Sequence, residues 1–256
     1  MQRKVAGISK QLAGVISQWD GVDAVLLGET AEIGTLDPYF SISLDVYQRG
    51  NLPSASDRKI QFLNPVGFST TFFTQEDRFL MMDLPVRIRY QDIARFDQLL
   101  QRIDDQLWAF HESGTTSFYR LQNGQVLHSK SGWLGEAQKR LARLPDHFWK
   151  VVGEESLKGV SNALSDLNTA VFRNDRLFTL LSSAAFCYSI CSFLFALNKR
   201  FEPPGRRLYE KVTSLPLQPD EFKGRFESFL REDPELPAER KREIAELLAK
   251  SVTAMQ

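Results

Sequence analysis

Cysteine is nearly missing from this chain. Its 256 residues hold two, Cys187 and Cys191, both inside one apolar stretch. A disulfide scaffold is therefore excluded, and the usage points to a reducing, cytoplasmic location. Histidine is as scarce: His111, His128 and His147 lie far apart and share no metal-ligand spacing. Net charge is missing too, because 32 Lys and Arg balance 32 Asp and Glu. Both halves of the chain keep that balance, so neither carries the basic footprint of a nucleic-acid or membrane-surface binder. The opening MQRKVAGISKQLAGVISQW is amphipathic without a continuous apolar core, so no secretory leader is expected. Internal repeats and low-complexity tracts are absent.

What remains is a globular composition. With 43% hydrophobic and 25% charged residues, the chain can bury a core as one large domain or two modest ones. One run stands apart. From Leu177 to Asn198 the sequence LFTLLSSAAFCYSICSFLFALN carries no charge, which is about the length of a membrane span. Thr179, Ser182, Ser183, Tyr188, Ser189, Ser192 and Asn198 make it too polar for that, and the expectation is a helix in the middle of a bundle.

The pattern changes near residue 150. Before it, short β-rich runs are divided by turn signals: AVLLG (24–28), FSISLDVY (40–47), KIQFL (59–63), RFLMMDL (78–84) and VRIRYQ (86–91). Helical patterns bracket them. Val5, Ile8, Leu12, Val15 and Ile16 share one helical face, as do Ile93, Phe96, Leu99, Leu100, Ile103 and Leu107. After Asp146 nearly everything reads as helix, broken at Pro203-Pro204-Gly205, Pro216, Pro219, Pro234 and Pro237. The expected architecture is α+β, with a mixed-sheet domain at 1–148 and an all-helical bundle at 149–256.

The chemical signal lies in VDAVLLGETAEIGTLDPYFSISLDVY, residues 22–47. A hydrophobic strand ends at Gly28, a loop with Gly34 and Asp37-Pro38 follows, and a second strand sets Ser41, Ser43 and Asp45 on one face. This segment resembles the signature of the polymerase-beta-like nucleotidyltransferases. There, Gly-Ser or Gly-Gly precedes, by about a dozen residues, a strand bearing Asp-x-Asp or Asp-x-Glu. The resemblance extends to YRLQNGQVLHSKSGWLGEAQKRLARLPDHFW (119–149), which is similar to a connector in kanamycin- and lincosamide-type nucleotidyltransferases. It extends also to AVFRNDR (170–176) and FLFALNKRFEPPGRRLYEKVTSLP (193–216), where Leu197, Asn198, Lys199, Phe201, Pro203 and Arg206 match the helical partner domain.

The resemblance implies a nucleotide held against small residues after the first strand, and two Mg²⁺ held by paired carboxylates for in-line displacement. This sequence departs from it on both counts. Glu29 replaces the small residue after Gly28, and Ser41 and Ser43 fall where the carboxylates belong. Sliding the register by two pairs Ser43 with Asp45 and still supplies one acid. Glu32 and Asp37 lie in the connecting loop. The family's third acid comes from a later strand, and VRIRY offers Arg87 and Arg89 there, with Asp83 as the alternative. The connector also lacks the family's Asp, with Ser129 or Lys130 in its region.

The resemblance thus implies a nucleotidyltransferase-fold protein with a degenerate site, serving as a ligand-binding or regulatory module with no cofactor. The alternative is an active Mg²⁺-dependent transferase of a nucleoside monophosphate with displaced metal ligands. Gly28, Glu29, Arg87, Arg89, Arg173, Asn198 and Lys199 are the candidates to line an interdomain cleft. A small molecule, a nucleotide or a protein segment would bind there. Nucleic acid and membrane are not expected partners. Simpler readings stand beside these. Asn174 or Asp175 caps a helix, Asn198 and Lys199 end one, the cysteines are buried inert thiols, and the serines of 182–192 bond back within their helix. Phe68, Phe72 and Phe73 belong to a core or interface rather than a base-stacking surface.

Overall fold

The computed structural model describes residues 2–28, 41–71, 75–101, 103, 114–231 and 237–256. They fall in two compact units, one drawn from Met1–Ile103 and Ser117–Arg143, the other from 114–116 and Leu144–Gln256.

The first unit is built on a six-stranded mixed sheet, ordered β3-β4-β5-β2-β1-β6. Its strands are β1 (Val22–Leu27), β2 (Ile42–Gln48), β3 (Val66–Thr71), β4 (Glu76–Met81), β5 (Leu84–Asp92) and β6 (Gln125–Ser129). The opening helix α1 (Gln2–Ile16) buries Val5, Ile8, Leu12 and Ile16 in one cluster with Val25, Leu27, Leu44, Val46, Val86 and Ile88. Those strand residues alternate along β1, β2 and β5, so the face of these three strands that α1 covers is apolar. Strand β1 is buried along its full length, as a central strand should be. Strands β4 and β5 form a hairpin whose two turn residues, Met82 and Asp83, both have positive φ, the geometry that matches strand twist. Three further helices complete the unit: α3 (Ile93–Gln101), α4 (Thr116–Asn123) and α5 (Trp133–Leu141).

One run breaks the expected pattern. KIQFL belongs to a helix, α2 (Ala55–Gln61), not to a strand. The reason lies upstream. The Ser54 hydroxyl accepts from the Asp57 N–H at 3.1 Å, and this cap starts a helix that a five-residue apolar window does not reveal.

The second unit is helical, with no strand among its described residues. Its helices are α6 (Asp146–Phe172), α7 (Arg176–Leu197), α8 (Leu208–Val212), α9 (Phe222–Leu230) and α10 (Ala238–Thr253). The α+β class expected from the sequence is the one that forms. Asp175 caps α7 by accepting from the Phe178 N–H at 3.0 Å. Helix α7 is long and apolar enough to cross a membrane, with mean hydropathy 1.9 and 56% of that window buried. Phe186, Ile190, Phe193 and Leu194 on its buried side join a core with Val160 and Leu167 of α6, Val212 of α8, Phe226 of α9 and Leu248 of α10. Burial pushes the Cys187 thiol up to about 11 and the Cys191 thiol higher still, so both are protonated and unreactive. Ser182 and Ser183 depart from expectation. Their buried hydroxyls find no hydrogen-bond partner among the described residues.

Candidate functional site

The second face of the sheet carries the chemistry. Strand β2 pairs in parallel with β5, placing Ser43 opposite Arg87 and Asp45 opposite Arg89. Strand β5 pairs antiparallel with β4, placing Arg87 opposite Arg78 and Arg89 opposite Glu76. Residues opposite one another share a face, so Ser43, Asp45, Arg87, Arg89, Glu76 and Arg78 form one polar surface. Toward β1 this face turns apolar, and Tyr47, Phe96, Trp133 and Phe118 pack there as an aromatic cluster. Gly124, just after α4, lies so close to the sheet that a Cβ would come within 3.0 Å of the Leu26 Cβ and 2.8 Å of the Arg120 carbonyl. This close approach lets Arg120 of α4 reach the polar surface.

Asp45 is buried, with 1% exposure. Arg89 Nε donates to its Oδ1 at 2.8 Å, and Arg89 Nη2 donates to the Ser43 hydroxyl at 2.7 Å. Arg120 Nη1 stands 3.6 Å from the same Oδ1. Burial pushes the Asp45 carboxyl above its ordinary value, and Arg89 pulls against that rise. Glu76, also buried, is gripped from two sides: Arg78 Nε donates to Oε1 and Arg87 Nε to Oε2, the latter at 2.6 Å. Burial pushes Glu76 up as well, but the hydrogen bonds from Arg78 and Arg87 outweigh it and hold the carboxyl below its ordinary value. Four guanidinium groups thus face two carboxylates.

The structure brings together Gly28, Ser43, Asp45, Arg87 and Arg89. Gly28 N–H donates to the Ser43 carbonyl at 2.8 Å. A Cβ on Gly28 would meet Ser43 atoms no closer than 3.4 Å, so packing does not demand glycine there. Ser41, half-buried, precedes β2 by one residue. Glu29, Glu32 and Asp37 lie outside the described residues, as do Phe72, Phe73 and His111. Asp83 sits in the β4–β5 turn rather than on the polar face. Among the described residues, no three His, Cys, Asp or Glu side chains gather where they could hold a metal.

Arg173, Asn198 and Lys199 belong to the second unit. Arg173 is the exposed C-cap of α6. Asn198, at the C-cap of α7, donates to the Leu194 and Leu217 carbonyls and accepts from the Leu217 N–H. Lys199 pairs with Asp146 at 2.6 Å. Asn198 thus ties the end of α7 to the Leu217 backbone, while the Lys199–Asp146 pair is exposed. Sequence reasoning missed Glu76, Arg78 and Arg120. Alternation along EDRFLM would have shown Glu76 and Arg78 sharing a face, whereas no local signal links Arg120 to Asp45.

Residues 110–206 match a family described as a domain of unknown function (DUF4037). No curated protein matches the chain. Among solved structures, a nucleotidyltransferase-like protein from Exiguobacterium sibiricum is similar, with TM-score 0.49 and 10% identity. The alignment covers 94% of this chain and 72% of that one.

Proposed function

We propose that this chain is a nucleotidyltransferase-like protein that does not perform two-metal transfer and works instead as a ligand-binding or regulatory module. The observation that carries the reading is the guanidinium of Arg89 seated on Asp45. Strand order supports it: β1 ends at Leu27, just before Gly28, β2 carries Ser43 and Asp45, and parallel β5 presents the position next to Asp45. In the resembling family a third carboxylate comes from such a later strand, and here that neighbour is a cation.

The donor set does not fit a pair of Mg²⁺ ions. Mg²⁺ takes hard oxygen ligands, carboxylates above all, in near-octahedral geometry. Among the described residues, Asp45 is accompanied by the neutral Ser43 hydroxyl and by the Arg89 guanidinium that already holds the carboxylate. A metal there would have to displace Arg89 and leave its charge in a mostly buried place. A ligand bound without metal suits the surplus of guanidinium groups. Two unpaired thiols agree with a reducing, cytoplasmic setting.

The test incubates the wild type with labelled nucleoside triphosphates, Mg²⁺ or Mn²⁺, and candidate acceptors. No transfer above background is expected. Label incorporation abolished by EDTA would overturn the reading in favour of an active transferase whose acids come from Glu29, Glu32 or Asp37. A Glu29→Ser/Ser41→Asp/Ser43→Asp variant should gain Mn²⁺ affinity that the wild type lacks.

A further inference from the structure

We propose that Arg78 and Arg87, held together by Glu76, form a metal-free binding site for a phosphate group. The inference rests on the binding-module reading above and names the chemistry that such a module would recognise.

The register is the first argument. Arg78 and Arg87 stand directly opposite each other across β4 and β5, with Arg89 next along the same face. Like charges directly opposite on a sheet repel. Here the repulsion is only partly relieved by protein groups. One carboxylate serves both, giving one oxygen to each Nε. The Nη1 and Nη2 groups of both residues make no hydrogen bond among the described residues.

Geometry is the second argument. Because Glu76 is 2% exposed and fixed in the sheet, it orients both guanidinium planes from below. The side chains of Arg78 and Arg87 are themselves 60% and 40% exposed, so a solute can reach their free edges. Two such forks side by side match the several oxygens of a tetrahedral dianion. Glu76 takes up one of the two positive charges, and Asp45 leaves one more among Arg89 and Arg120. Among the described residues the surface therefore keeps a surplus of two positive charges, the charge a phosphate dianion neutralises. Inorganic phosphate and the phosphate of a nucleotide share this chemistry.

Calorimetric titration of the full chain tests it, in EDTA and at fixed ionic strength, with inorganic phosphate, AMP and ATP as separate probes and chloride as the control. Saturable binding of at least one phosphate probe is expected. AMP and ATP binding more tightly than inorganic phosphate would identify a nucleotide as the source. Equal or weaker nucleotide binding would identify the free anion. Arg78→Gln and Arg87→Gln should each weaken binding about tenfold or more. Arg78→Lys and Arg87→Lys, which keep the charge but lose the fork, should fall between and serve if either Gln variant fails to fold. Absence of saturable binding by all three probes, or unchanged affinity across all four variants, overturns the inference. That failure leaves the binding-module reading standing, whereas EDTA-sensitive label transfer overturns the reading whatever phosphate does.

Discussion

The two faces of the sheet hold their charges in opposite ways. On the face packed by α1, Arg58 is buried and makes four hydrogen bonds among the described residues. Its Nε and Nη2 donate to the two oxygens of Asp77 at 2.8 and 2.9 Å, Nη1 to the Pro53 carbonyl at 2.7 Å, and Nη2 also to Thr70. Tyr90 donates to Asp77 at 2.7 Å and its ring lies 5.1 Å beneath the guanidinium. One cation meets one anion and almost no solvent. On the other face, Arg78, Arg87, Arg89 and Arg120 share Asp45 and Glu76, and the outer two arginines are open to water. A closed pair serves the fold, because burying charge is tolerable only when every donor and acceptor is matched. The outer edges of Arg78 and Arg87, which keep unfilled donors among the described residues, contribute little to stability and suit a ligand.

The comparison breaks most visibly at Asp77. Asp77→Asn leaves Arg58 buried beside a neutral amide, and chemical denaturation should show a loss of about 3–5 kcal/mol. A loss under about 1 kcal/mol would mean that the face is not closed. Asp45→Asn should cost less, about 1–3 kcal/mol by the same measurement, since burial already works against its charge.

A pH profile sharpens the contrast. Hydrogen bonds from two arginines hold Glu76 below its ordinary value of 4.5. Its native carboxyl therefore binds fewer protons than the unfolded one, and its contribution to stability is complete above that value. The contribution is lost as pH falls through the lowered value. Melting temperature measured from neutral pH downward should fall less steeply for Glu76→Gln than for the wild type. Identical acid limbs would count against the two-sided grip. The smallest effect is expected at Arg78→Gln, under about 1 kcal/mol, because that side chain is mostly solvated. A larger loss would make Arg78 a structural group rather than a reserve for a ligand.

Much of the site is legible one strand at a time. Period-two alternation alone places Ser43 with Asp45, and Arg87 with Arg89. It does not show that β5 lies beside β2 in parallel, since Asp45 and Arg89 stand 44 residues apart in the chain and α2, β3 and β4 intervene. Alternation pairs Glu76 with Arg78 only if the strand is extended past the apolar run RFLMMDL, and the two adjacent acids before Arg78 are poor strand formers that hide that extension. KIQFL misleads for a related reason: a short apolar run is compatible with either period, and the Ser54 cap decides it.

The sequence by itself determined the α+β class, the change to helix near Asp146, the two inert thiols and the alternation of Ser41, Ser43 and Asp45. These follow from local periodicity and composition, which the residues carry wherever they stand. Only the tertiary structure decided that Arg89 closes on Asp45, that Arg120 joins it from α4, and that Glu76 holds Arg78 and Arg87 side by side. Those pairings arise from strand register and helix docking, which many weak apolar contacts set together, and no single segment of the chain encodes them.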